Sequence, residues 1–451
     1  MRSKLSCSFA RIGLIAVVCC FTTLSAQAGE TDVHMGINLS LIHGISLGHA
    51  FAGGDESRIH NTGLSLGLFS TKAARLSGID LCLGRSDYSA SVRGMQVGGV
   101  VATAHNNALG LQLAGIIGAA GNGFTGGQAA GLISAVGDKF TGIQFAGLIG
   151  ATGNNFTGGQ AAGLISAVGD KFTGIQFTGL ISAAGNNFTG FQVGGMISAV
   201  GDHFSGIQVS GIINAVGEEF SGVQVGGIIN AVGEEFSGVQ VGGLLNAAGE
   251  TFSGLQISGL MNAAVHLHHG VQIGLINRSK TNSGIAVGPY SRVNDVGLGF
   301  ELATDETRFV HLGLRSGTRR FFNVLHLGLH PGDVTRWSLG WSFGLHQPLG
   351  GGGKSALEVG ATISHINEAE LWTGGVNRLG RVSMLYVHKT SGNYSLFAGP
   401  SINLWDSRYH DGSDFAPWSV YERNSGGGGR WKRAWPGLSV GLRTEGFFIR
   451  E

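Results

Sequence analysis

Hydrophobic and polar positions alternate with a period of two along much of this chain. Between Met95 and Gly270 the alternation is packed into one sixteen-residue phrase, written eleven times without insertion or deletion. In the stretch from Ser221 to Ala231 one set of alternate positions reads Ser221, Val223, Val225, Gly227, Ile229 and Ala231, and is essentially aliphatic. The other set reads Gly222, Gln224, Gly226, Ile228 and Asn230, and is mixed. A period of two over about eleven residues predicts extended strand. Val232-Gly-Glu-Glu235 then breaks the run as a turn does. The Gly pairs exclude a helix, because each Gly costs about 1 kcal/mol in a helix interior.

The fixed positions of the phrase are its strongest constraint. Gln stands at every sixteenth place: Gln96, Gln112, Gln128, Gln144, Gln160, Gln176, Gln192, Gln208, Gln224, Gln240, Gln256 and Gln272. Gly closes each copy from Gly110 to Gly270, Gly holds the fifth place from Gly99 to Gly259, and Phe holds the fourteenth from Phe124 to Phe252. These twelve Gln residues are the predicted repeat ladder, and they carry no catalytic, cofactor-binding or metal-binding expectation.

Two all-β architectures fit such a phrase. In a repetitive antiparallel meander each copy is one strand and a turn, and the meander closes into an outer-membrane β-barrel-like sheet. In the alternative, a β-solenoid of 16-residue coils followed by a smaller C-terminal β-barrel or sheet, like stacks on like at about 4.8 Å. Three features favour the meander. From Gly127 to Gly190 the true period is thirty-two residues, with turns Asp138-Lys139 and Asn154-Asn155 alternating, as a hairpin unit would have. Glu218-Glu219 and Glu234-Glu235 fall in successive copies, where stacked coils would bring four carboxylates together. Eleven residues also match the roughly 9 to 11 of a tilted transmembrane strand.

The flanks divide the chain further. Residues 1–28 read as a signal peptide, with Arg2, Lys4 and Arg11 before an apolar core from Ile12 to Phe21 and a small-residue site at Ala26-Gln27-Ala28. Residues 29–62 form an N-terminal strand and polar loop, 63–284 the repeat array, and 285–451 a C-terminal strand region. All seven Trp and five of the six Tyr lie in that last region, as interfacial girdles of a membrane barrel would. Removal of the leader takes Cys7, Cys19 and Cys20 and leaves only Cys82, so no intrachain disulfide is expected and stability must come from backbone ladders. The net charge of +1 gives no field for nucleic acid. No charged residue at all occurs from Met95 to Gly137, which describes sheet in an apolar setting.

Phe236-Ser-Gly-Val-Gln-Val-Gly-Gly-Leu-Leu-Asn246 and Val271-Gln-Ile-Gly-Leu-Ile-Asn277 resemble the bacterial surface-repeat proteins built from GLQIGLIN-like units. The resemblance covers roughly Leu64 to Asn277 and implies an exported surface or outer-membrane protein with no established activity. This chain departs from that pattern in the second Gly of most copies and in its long aromatic C-terminal part.

Candidate chemistry is sparse. Gly44-Ile-Ser-Leu-Gly48, Gly63-Leu-Ser-Leu-Gly67 and Gly437-Leu-Ser-Val-Gly441 match a nucleophile-elbow pattern but sit in strand-like runs. Gly350 to Ser355 lacks the first Gly of a phosphate loop. His266, His268 and His269 are the one dense imidazole cluster, and without a neighbouring Cys, Asp or Glu they read as a polar strand end. The expectation is an exported non-enzymatic outer-membrane or cell-surface protein, without cofactor, with a structural or passive-passage role. Outer-membrane lipid or lipopolysaccharide is the expected partner. The alternative is an adhesive or ligand-binding solenoid meeting a surface ligand or host component.

Overall fold

The computed structural model describes residues 32–444, apart from 43–44, 295, 332–335, 351–352, 369, 391, 417 and 426–429. The leader expected at 1–28 lies outside the described residues. The fold is all-β: a parallel β-solenoid of about 15 turns and a closed eight-stranded antiparallel barrel. The chain divides into two compact units, residues 1–236 and 237–451.

In the first unit each sixteen-residue phrase is one coil. A representative coil has a long strand, Lys139–Ala146, and a short one, Ile149–Thr152. The long strand bends at Gly142, where φ is 132° and an added Cβ would stand 2.0 Å from the carbonyl oxygen of Gly126 one coil below. Only glycine permits that backbone and that approach. A two-residue corner, Gly147-Leu148, follows the long strand, and a three-residue one, Gly153-Asn154-Asn155, follows the short strand.

The coils stack in parallel and in register. Phe140 lies beside Phe124 and Phe156, Gln144 beside Gln128 and Gln160, and Ile149 beside Ile133 and Ile165. Gln224 lies beside Gln208 in the same parallel sense, so the antiparallel meander is overturned and the solenoid alternative is the fold of the array.

The physical reasons lie inside and outside the coil. Gln, Phe and the Ser or Asn of the short strand all point inward, whereas the Val, Ile and Leu that flank Gln point out. Inward Phe rings stack 4.6 to 5.2 Å apart and nearly parallel from Phe124 to Phe236. The expected carboxylate repulsion falls on an exposed corner, where water screens it to a few tenths of a kcal/mol. His203 stands 3.7 and 3.6 Å from Glu218 and Glu219 there. The thirty-two-residue period is also compatible with stacking: Asn154 donates to Asp138 at 2.7 Å and Asn186 to Asp170 at 2.6 Å, so a neutral coil separates and bridges the acidic ones.

The register extends past the limits read from sequence. Val33–Ile42 pairs in parallel with Ile59–Gly67, interrupted afterwards by a short helix, Leu47–Phe51.

In the second unit the same register runs through Leu245–Ser258 and Met261–Leu267 to Ile276–Asn282 and Tyr290–Val293. The last coil is capped by side chains of barrel strands. Asn323 donates to Ala286 O at 2.5 Å and accepts from Gly288 N at 3.1 Å, and Ser316 accepts from Ser291 N at 3.0 Å. These bonds occupy backbone groups that a bare edge would offer to another chain.

The barrel strands are Gly299–Asp305, Val310–Gly317, Phe321–His330, Arg336–Leu349, Ser355–Glu368, Asn377–Lys389, Tyr394–Ser407 and Arg430–Thr444. Each pairs antiparallel with the next, and the last closes on the first with Leu302 opposite Leu442. A further strand, Tyr421–Ser425, folds as a hairpin onto the last.

Candidate functional site

The predicted ladder exists, and it is internal. All twelve Gln side chains are at most 2% exposed. In the first unit Gln112 donates from Nε2 to Gln96 Oε1 at 2.9 Å, and the pattern repeats coil by coil to Gln224 on Gln208 at 2.8 Å. In the second unit Gln272 donates to Gln256, and Gln256 to Gln240. A buried amide is costly unless both its ends are bonded, and stacking in register bonds them with one residue type. Asn262 extends the same logic in the short strand, donating to Asn277 at 2.9 Å and to Ile273 O at 2.7 Å.

Every rung in the first unit presents its N–H toward lower residue numbers, so the column needs a terminal acceptor. Gln96 Nε2 donates to Ser86 Oγ at 2.9 Å, and Ser86 Oγ in turn donates to Asp80. Asp80 occupies the Gln position of its own coil, is fully buried, and accepts from Thr71 Oγ1 at 2.9 Å. Burial pushes its carboxyl above the ordinary range, and the hydroxyls of Ser86, Ser65, Thr71 and Tyr88 pull it back in part. The substitution of Asp80 for Gln was visible in the sequence, but its role as the end of a column was not.

The barrel inverts the usual distribution of polarity. Outward positions carry exposed aliphatic and aromatic side chains on every strand, among them Leu302, Leu312, Leu327, Leu339, Ile363, Val382, Leu404 and Val440. Inward positions carry the charges. Glu358, buried, accepts from Arg315 Nη2 at 2.7 Å, from Arg443 Nη1 at 2.9 Å, and shares a proton-bearing contact of 2.6 Å with His346 Nδ1. Arg315 also donates to Glu301 at 3.0 Å and stacks its guanidinium 4.2 Å over Phe322.

A second inward group joins Arg381 to Asp305 and, at 2.7 Å, to Asn403; His311 meets Asp305 at 3.0 Å. Glu306 accepts from Asn403, Trp435 Nε1 and Leu438 N at 2.6, 3.0 and 2.9 Å. The side chains leave a cavity of about 100 Å³ among Arg315, His326, Glu358, Arg381 and Arg443. Adjoining it at Leu379, Phe309, Ile366, Trp405, Phe415 and Trp435 form an apolar cluster. Ion pairs cross-link this lumen.

None of the other motifs assembles a reactive constellation. Ser65 and Ser439 lie within strands, and Ser46 accepts from His49 N at 3.0 Å as a helix N-cap. Cys82 is buried, and burial raises its thiol pKa. His266 bonds Thr281 at 2.8 Å from the strand Met261–Leu267, whereas His268 lies past that strand's end, its ring 6.5 Å from that of His269. Among the described residues no group of three His, Cys, Asp or Glu is placed to hold a metal, and no helix is long and apolar enough to cross a membrane. Comparison with known protein families, curated proteins and solved structures finds no match for this chain.

Proposed function

We propose that this is an exported, non-enzymatic structural protein of a bacterial outer membrane, anchored in lipid by its C-terminal barrel and bearing the solenoid as a rigid module. The observation that carries the reading is the polarity of the barrel. Leu312, Val382 and Leu404 are 54%, 53% and 56% exposed, and they belong to an apolar band that circles all eight strands. In water such a band would far exceed the few hundred Å² of apolar patch that soluble monomers expose. In a bilayer it is the required surface, with the backbone satisfied by closure and the charges kept inside. Strands of 13 to 15 residues from Arg336 onward are long enough to cross with tilt.

The same lumen favours an anchor over a passage, because Glu358 and its two arginines tie opposite walls across the space a solute would need.

The test is refolding of the full chain into phospholipid vesicles, read by heat-modifiable gel mobility and by protection of the barrel from added protease. Val382→Arg, on the outward surface, is expected to cost about 2–4 kcal/mol of insertion free energy at the bilayer midplane. Full solubility of the chain without detergent, together with indifference to Val382→Arg, would sink the anchor reading.

A further inference from the structure

The outer surface of the long solenoid strands is corrugated, and the corrugation is self-complementary. The residues flanking Gln144 are Ile143 and Phe145, 54% and 56% exposed, and those flanking Gln176 are Ile175 and Phe177, 49% and 48% exposed. The coils between and before them carry Gly159 with Ala161 and Gly127 with Ala129 at the same two places. Two ridges therefore alternate with two grooves, each one coil wide, so ridges repeat at about 9.6 Å.

Nothing among the described residues requires the groove at Gly159 to be empty. A Cβ built there meets no atom within 4 Å, and the residue lies in ordinary extended strand, Phe156–Ala162. Its neighbour Gly158 differs completely, with φ of 130° and a Cβ that would sit 2.0 Å from Gly142 O. Smallness at Gly159 thus has no intramolecular cause, and an exposed aliphatic face with an unexplained hollow calls for a knob from outside.

We propose that the knob is the ridge of a second copy of this chain. Turning a copy about a two-fold axis that passes between the Gln144 and Gln160 coils, perpendicular to the stacking direction, sets Ile143 and Phe145 of one copy over Gly159 and Ala161 of the other. The same operation sets Ile175 and Phe177 over Gly127 and Ala129, so all four coils match at once. A parallel arrangement would set ridge on ridge. The pairing is isologous and closes after two copies.

Charge agrees with this occupant. Asp138 and Asp170 lie in turn corners, Lys139 at the start of its long strand and Lys171 just before the next, all before the bends at Gly142 and Gly174 and so off the half of each strand that carries the ridge. The two-fold sets coil on coil from Gln96 on Gln208 inward, eight coils in all, so with the Leu148 corner the shared face is roughly 600 Å² on each copy, or about 1,200 Å² in total, at the lower edge of stable specific interfaces. Outside the four central coils the same operation sets Leu111 and Leu113 over Phe191 and Val193, large on large, so the ridge-and-groove fit is confined to the centre.

The pairing does not depend on the membrane reading, and its test separates the two. Full-length chains carrying Ile143→Cys or Gly159→Cys, with all native cysteines replaced by Ala, are oxidised separately and as a mixture. The inference expects the Ile143 to Gly159 heterodimer as the main product of the mixture, with little from either variant alone. Light scattering is expected to give a two-chain mass for the unmodified protein. Gly159→Leu, whose Cβ meets no atom within 4 Å, puts a side chain into the groove and is expected to weaken pairing by about 100-fold or more, leaving the circular dichroism of the sheet unchanged. A one-chain mass at all concentrations overturns the proposal, whether or not the face is then found buried in lipid. So does a dimer that tolerates Gly159→Leu, or cross-linking without preference for the mixed pair.

Discussion

Replacing Gln160 by Leu removes one rung of the amide column while nearly preserving volume. Gln160 is the cleanest choice, because Gln176 Nε2 has no other acceptor beyond Gln160 Oε1, at 2.8 Å, and Gln144 Oε1 receives the Gln160 amide at 2.7 Å. The substitution leaves one acceptor and one donor without partners in a dry interior. Each such group costs about 1–3 kcal/mol, and the buried Leu returns roughly 1.5–3 kcal/mol of transfer free energy. The expected net loss is about 1–3 kcal/mol.

The stronger signature lies in pairs of substitutions. Removing Gln144 and Gln160 together still orphans only two groups, on Gln128 and Gln176, so the adjacent double variant should cost no more than either single one. Removing Gln144 and Gln176 orphans four groups, on Gln128, Gln160 and Gln192, and the costs should add. Because stacked coils can open locally rather than as a whole, native-state hydrogen exchange of amides in and beside the altered coil is the appropriate assay. Equal costs for the two double variants, or single costs under about 0.5 kcal/mol, would refute a continuous internal column.

The two glycines at 158 and 159 give an adjacent-residue control: Gly158→Ala should destabilise its coil by more than about 3 kcal/mol, and Gly159→Ala should be close to neutral in a monomer, both read by urea unfolding. Glu358→Gln leaves buried Arg443 and partly buried Arg315 short of their shared carboxylate and should cost the refolded barrel about 3–5 kcal/mol, seen as a lower denaturant midpoint with no gain in vesicle leakage. Asp80 predicts a pH dependence. Its folded pKa lies above the ordinary 3.8, so the folded chain holds the proton more tightly and stability falls as pH rises from that value through the raised one. Asp80→Asn should abolish that fall and stabilise the N-terminal coils at neutral pH; an unchanged pH profile would count against a buried unpaired carboxylate.

The strand content and the sixteen-residue unit with its fixed Gln, Gly and Phe positions were legible in the sequence, because period-two alternation and an invariant repeat length are local properties. That Gln falls on a mixed set of alternate positions was legible too, but not that this set is the buried one. What local pattern could not decide was the direction of neighbouring strands. The long strand Glu219–Gly226 and the short strand Ile229–Val232 are joined by a two-residue corner, and two residues preserve the parity of alternation. An eleven-residue straight run and a bent coil therefore read alike.

The inversion that defines both halves was decided only in three dimensions. Aliphatic positions face outward because a stacked amide satisfies itself at each rung, whereas a lone one would have to face water. The lumen cluster was likewise invisible, since Glu301, Arg315, Glu358 and Arg443 come from four separate strands and meet only when Leu302 pairs with Leu442 and the sheet closes. Sequence alone determined what each segment is and which residues repeat together. Tertiary structure determined which side of each segment is the inside, because that depends on whether neighbouring strands bring like residues together or closure brings unlike charges within reach.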